Sequence, residues 1–152
     1  MKRAIVLPLL VAAIGAQGQS GMGHARMRHE TAHASMVRHH YLHAHGLDAR
    51  YGVKSRPRQP TAEDLATGQA LFVRHCSSCH GERGAGDGVA GAGLDPAPAN
   101  LAFSARRPMA SDGYLFWTIA EGGVPVGSAM PPFKDALADD EIWQIIAFLR
   151  EL

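Results

Sequence analysis

The chain has 152 residues, 46% of them hydrophobic, and fifteen Lys+Arg against fourteen Asp+Glu leave a net charge of +1 with neutral histidines. That suffices for one compact domain with additional segments and excludes two full-sized domains, while the near-neutral total argues against a strongly basic nucleic-acid binder. Only two cysteines occur, Cys76 and Cys79, three positions apart. A disulfide between them closes no long loop, so a disulfide-stapled fold is excluded.

The total charge hides a division. Residues 19–60 carry seven basic and two acidic residues, a net +5, whereas residues 61–152 carry six basic and twelve acidic, a net −6. Seven of the nine histidines also lie in the first of these stretches, leaving only His75 and His80 in the second. A basic, histidine-rich front therefore precedes an acidic body.

Residues 1–18 open with Lys2 and Arg3, continue through an apolar run from Ala4 to Ala16, and end in small and polar residues around Gly15-Ala16-Gln17-Gly18. A positive start, an apolar middle and a small-residue cleavage zone form the layout of a secretory signal peptide. The run holds thirteen residues with Pro8 inside, short of the ~20 that a spanning helix needs. The expectation is export with cleavage after Ala16 or Gly18, and a mature periplasmic chain with no stable membrane span. A buried core helix or an uncleaved anchor is the competing assignment.

Residues 19–60 show little sustained apolar periodicity and close in the linker-like Lys54-Ser55-Arg56-Pro57-Arg58-Gln59-Pro60. This extension is expected to be partly disordered or to form one short helix, docking on the body through residues such as Tyr41, Leu47 and Tyr51. His29, His33, Met36, His40 and His43 step by four, three, four and three, which places them on one helical face. Imidazole and thioether groups so arranged suit copper or another soft metal, although flexible histidine-rich tracts also bind metals weakly without that being their task.

From Thr61 the pattern changes. Thr61 and the early acids Glu63 and Asp64 announce a helix start, with Leu65, Gly68, Leu71, Phe72 and His75 on helical spacing. Gly81 to Pro108 reads as mostly loop. Ser111-Asp112 caps a second helix, Gly113 to Glu121, stopped by Gly122-Gly123. A third begins near Asp139-Asp140-Glu141 and runs to the end, with Ile142, Ile145, Ile146 and Leu149 as its buried stripe. Three short helices with long loops supply too little apolar surface for a body of this size, so something else should fill its centre.

Cys76-Ser77-Ser78-Cys79-His80 identifies the filler. Two thiols two residues apart on a turn of helix can each add to one vinyl group of a porphyrin, and the adjacent His80 then supplies a proximal imidazole to the iron: this is the pattern of c-type haem attachment. A redox dithiol shares the Cys-x-x-Cys spacing but wants a sheet-based context. Structural zinc needs four ligands, and the body offers no second Cys or His pair. For the sixth iron position the body contains two methionines, Met109 and Met130. Met130 precedes Pro131 and Pro132, which stiffen its loop, and His/Met ligation raises the potential. Met109, after Arg106-Arg107-Pro108, reads as a surface or packing residue. A core methionine filling a gap is the plain alternative for Met130.

These residues resemble a known family. Gly68-x-x-x-Phe72-x-x-x-Cys76, then Cys76 to Gly81, Met130-Pro131, and the closing helix from Glu141 through Trp143, Ile145 and Ile146 to Leu149 make residues 61–152 similar to a class I c-type cytochrome of the bacterial single-haem kind. The resemblance implies an all-α cytochrome c fold, with three main helices and long loops around one covalently attached haem c. It implies that the first and last helices cross closely at Gly68, with Phe72 and Phe148 packed across the crossing. It further implies a proline carbonyl, of Pro96 or Pro98, behind the proximal histidine. Asn100, Arg106 and Trp117 are candidates for the haem edge or its propionates, and equally for ordinary loop and core positions. The extension lies outside the family's common core.

With both axial positions filled by protein, one-electron exchange is the available chemistry. The expected function is therefore an electron carrier rather than an enzyme, free or as the haem subunit of a dehydrogenase or reductase complex, with cofactor-binding residues Cys76, Cys79, His80 and Met130. Its partners would be a redox donor and a redox acceptor, the acidic body favouring basic docking patches. The +5 front either folds over its own acidic body or reaches an acidic partner. Two alternatives stand beside this: a haem peroxidase or ligand-binding haem protein in which Met130 is weak or absent, and a copper-handling protein that uses the extension.

Overall fold

The computed structural model describes residues 36–152. Residues 1–18, expected above to be a signal peptide, and His24, His29 and His33 lie outside the described residues. Within them the chain is helical, with no strand. Residues 36–45 form α1, followed by the single turn α2 (Ala49–Gly52), the long α3 (Ala62–His75), the turn α4 (Ser77–His80), the turn α5 (Leu101–Ser104), α6 (Asp112–Glu121) and α7 (Asp139–Glu151). Short 3-10 turns at Val89–Gly91 and Val124–Val126 interrupt the loops.

The local chemistry explains the helix starts. At α3 the Asp64 N–H donates to Thr61 Oγ1 (3.2 Å) and the Thr61 N–H donates back to the Asp64 carboxylate (2.8 Å), a reciprocal cap that satisfies two otherwise orphaned donors. At α6 Ser111 Oγ accepts from the Tyr114 N–H at 3.2 Å. The α7 entrance is held by Glu141, whose carboxylate accepts from the Ala138 N–H at 2.9 Å.

The frame of the domain is the crossing of α3 and α7. Gly68 sits at the contact, where a Cβ would collide with the backbone carbonyl of Gln144. Next to it the fully buried Phe72 packs on Phe148, ring centroids 5.3 Å apart, and Ile142, Ile145, Ile146 and Leu149 turn inward from α7. Because the colliding atom is backbone, side-chain rotation cannot relieve a larger residue. Gly68→Ala is therefore expected to cost about 2 kcal/mol or more, read as a lowered midpoint in chemical denaturation of the holoprotein.

α6 lies against α7, its Phe116 ring 4.8 Å from that of Trp143, and it buries Leu115, Ile119 and Ala120 in the core. It ends at Gly122, whose φ of +64° suits glycine and whose missing Cβ leaves room for the Pro131 backbone. The loop that follows folds back onto α6: the Gly123 N–H donates to the Met130 carbonyl at 2.8 Å, and the Phe133 N–H donates to the carbonyls of Ile119 and Ala120.

Residues 36–60 lie on this frame. Tyr41 stacks on Trp117 (5.9 Å, 12° between planes), Leu42 and Leu47 reach the core, and Tyr51 is buried with its hydroxyl donating to Glu121 at 2.6 Å. The positive charges of this stretch meet the acids of the body: Lys54 pairs with Asp139 (2.7 Å), Arg50 with Glu121 (3.4 Å) and Arg58 with Asp64 (2.5 Å). For these three cations the choice between own body and outside partner falls to the body. The face of α1 that packs is Arg38, Tyr41 and Leu42, while Met36, His40 and His43 are exposed. The described part of the histidine face is thus turned to solvent, and among the described residues no group of three or more His, Cys, Asp or Glu side chains is placed to hold a metal ion.

The junction predicts a pH response. Lys134 and Tyr51 hydrogen-bond to Glu121 and hold its carboxyl below its usual range, and Tyr51 itself is pushed up to about 12, first by burial and then by its bond to Glu121. A carboxyl depressed in the folded state stabilises the fold above its unfolded pKa, about 4.3, and the contribution is lost as pH falls through the lower folded value. Thermal unfolding followed from pH 7 to pH 3 should show a fall that Glu121→Gln partly flattens.

Candidate functional site

The end of α3 carries the cysteines into the interior. Cys76 interrupts the helix with φ −122°, yet its N–H still donates to the Phe72 carbonyl (2.8 Å) and its own carbonyl accepts from His80 (2.9 Å). The motif therefore forms one further turn, α4. Cys76, Cys79 and His80 line a single cavity of about 1080 Å³, counting its open mouth. Met130 and Pro131, from the loop tied to Gly122 and Gly123, line the same cavity, and its depth is made of Phe72, Leu115, Ile119, Phe133, Ile145 and Leu149. The body's missing apolar centre is this cleft.

His80 is oriented by the backbone behind it. Its Nδ1 lies 3.0 Å from the Ala99 carbonyl, which can only accept, so Nδ1 carries the proton and the Nε2 lone pair is left for a metal. Burial pushes the imidazole pKa down, with Arg38 adding to it against the opposing bond to Ala99; the ring is neutral at neutral pH. The backing carbonyl belongs to Ala99 and not to Pro96 or Pro98, both of which line the cavity instead. The course of the loop decides this, because the Gly84 carbonyl accepts from Leu101 (2.6 Å) and Ala102 (3.2 Å) and pins the chain just after Ala99.

The Cys76 thiol is unlike that of a redox dithiol. Burial, and then the neighbouring Cys79, push Cys76 up to about 12, whereas a reactive Cys-x-x-Cys pair needs a lowered thiol pKa. Both cysteines are free and partly buried.

Other candidates take different places. Met109 is 48% exposed and does not line the cavity. Arg106 is exposed and donates to the Glu151 carbonyl at 3.1 Å; Asn100 caps α5 by accepting from Phe103 at 3.0 Å; Trp117 is buried beneath Tyr41, outside the cavity lining. The residue that sequence reasoning missed is Arg38. It is 8% exposed, donates from a guanidinium nitrogen to the Gly122 carbonyl at 3.0 Å, lies 5.1 Å over the Trp117 ring and lines the cavity. Its signal was its place at i with Tyr41 and Leu42 at i+3 and i+4, an amphipathic stripe overshadowed by the histidines.

The residues present fit a haem: a deep, mostly apolar cleft, two thiols three positions apart at its wall, a neutral oriented imidazole, and a thioether on a loop held by backbone hydrogen bonds. Among the described residues no helix is long and apolar enough to cross a membrane. No curated protein matches the chain. Residues 63–149, from the first turn of α3 into the last turn of α7, match the family described as cytochrome c oxidase, cbb3-type, subunit III. With more than half of its length in that match, the chain belongs to this family, and its folded domain is a c-type cytochrome, an electron-transfer haem protein.

Proposed function

We propose that the protein is exported and carries single electrons between redox proteins outside the cytoplasm, with one haem c bound through thioethers to Cys76 and Cys79 and ligated by His80 and Met130. The observation that carries this reading is that all four side chains line one cavity. When bound, the haem supplies reversible one-electron exchange between Fe(II) and Fe(III). The chain's own residues do the rest. The Ala99 carbonyl orients His80, the Gly123 N–H anchors the Met130 backbone, and the apolar walls keep water from the ligands. With Met130 on the iron no position is left for oxygen or peroxide, which favours a carrier over a peroxidase. The family's description supports a place beside an oxidase, either as a freely moving donor or as the haem subunit of an oxidoreductase complex. The opening 1–18 supports export.

The test is expression of the full chain with cytochrome c maturation machinery. The expected product is a red periplasmic protein that begins after Ala16 or Gly18, is one haem heavier than its polypeptide, and shows a low-spin spectrum with the weak long-wavelength methionine-to-ferric band. A colourless chain without the adduct overturns the reading, and a high-spin, carbon-monoxide-reactive protein replaces the carrier by a ligand-binding haem protein.

A further inference from the structure

Arg38 poses an electrostatic problem that the polypeptide alone does not solve. A guanidinium withdrawn from water is costly unless it is paired and hydrogen-bonded. Here its compensation is one backbone carbonyl, of Gly122, and the face of Trp117. Among the described residues no carboxylate pairs with it. Among the described residues it is also the one permanently charged side chain in the lining of the cavity, where the other titratable groups are His75, His80 and the two thiols. Nearby, Thr118 Oγ1 lines the same cavity, buried and without a hydrogen-bond partner among the described residues. A planar, five-donor cation facing such a cleft is matched by a carboxylate on whatever fills it.

We propose that Arg38 is the counter-charge for a haem propionate, so that α1, which lies before the segment shared with the family, is a structural wall of the haem site and raises its potential. The proposal rests on the haem reading above. The stacking of Tyr41 on Trp117 fixes α1 on the body, and the bond from Tyr51 to Glu121 holds the turn that follows it. A buried cation opposes the extra positive charge of ferric iron, so removing it favours the ferric state and lowers the potential.

The experiment uses the full-length holoprotein. In Arg38→Gln the ferric-to-ferrous ratio at a fixed ambient potential should rise about tenfold, equivalent to about 59 mV for a one-electron couple. The long-wavelength band should persist, and the exposed Arg107→Gln should leave the potential unchanged. Isotope-edited infrared spectra of the wild-type protein with carboxyl-labelled haem provide a readout that needs no variant: one propionate should remain ionised well below the ordinary carboxylate range. An unchanged potential in Arg38→Gln overturns the proposal. So does loss of the band, which would place the action of Arg38 on the Met130 loop through Gly122, and so do two propionates that titrate normally in the wild type. A chain that never acquires haem defeats the functional reading instead, and the mass of the product separates the two failures.

Discussion

Removing both thiols, as Cys76→Ala with Cys79→Ala, should yield a polypeptide that survives denaturing electrophoresis without haem stain and lacks the one-haem mass increment. The physical reason is local. The two sulfurs sit three positions apart, Cys76 at the start of α4 and Cys79 within it, on a turn whose backbone bonds run from Cys76 to Phe72 and from His80 to Cys76, and no thiol elsewhere can replace either in a chain that has only these two. Each single variant should retain one thioether and a shifted spectrum. The double variant should also lose stability, because Phe72, Ile119, Ile145 and Leu149 line an apolar cleft that the haem would otherwise fill. A loss of at least about 3 kcal/mol is expected by analogy with unfilled cores, or roughly 12 °C in thermal midpoint for a domain near this size. Covalent haem surviving the double substitution would overturn the attachment assignment.

How far the site was legible from sequence follows from what kind of contact makes each part. Cys76, Cys79 and His80 stood out in the sequence because thioether attachment and ligation would demand neighbouring residue types at fixed spacing, and the structure brings the three onto the lining of one cavity. Thr61 with Asp64, and Ser111, are legible because caps act over three residues. Gly68 stands out because a glycine inside a helix is costly without a packing reason, and the Gln144 carbonyl supplies that reason. The carbonyl behind His80 was beyond reach: any residue owns one, and loop geometry selected Ala99 over the two prolines. Arg38 was hidden differently. Its partner is a backbone oxygen 84 positions away, and no side-chain pattern records such a pairing. Arg106, nearer the motif in sequence, was the natural candidate for a charge beside the haem, yet it spends its donors at the end of α7.

Met130→Ala should leave haem covalently attached and abolish the long-wavelength methionine-to-ferric band, while the potential falls by on the order of 0.1–0.2 V, within the ~0.8 V range that axial ligands span. The substitution removes the thioether but keeps the two contacts that shape the loop, since the Gly123 N–H binds the carbonyl of residue 130 and the Pro131 backbone sits against Gly122. The change therefore reports on ligation and not on collapse of the loop, which a circular dichroism spectrum like that of the wild type would verify. The vacated position should then bind carbon monoxide in the ferrous state, converting a carrier into a ligand-binding protein by one side chain. Met109→Ala is the matched control: its side chain is 48% exposed and outside the cavity lining, so band and potential should stay as they were. Survival of the band in Met130→Ala together with its loss in Met109→Ala would move the sixth ligand to the other loop. That outcome would require the segment between α5 and α6 to swing inward against the bonds that Arg150 makes to the Ala105 and Ala110 carbonyls and to Asp112, which is the structural ground for choosing Met130.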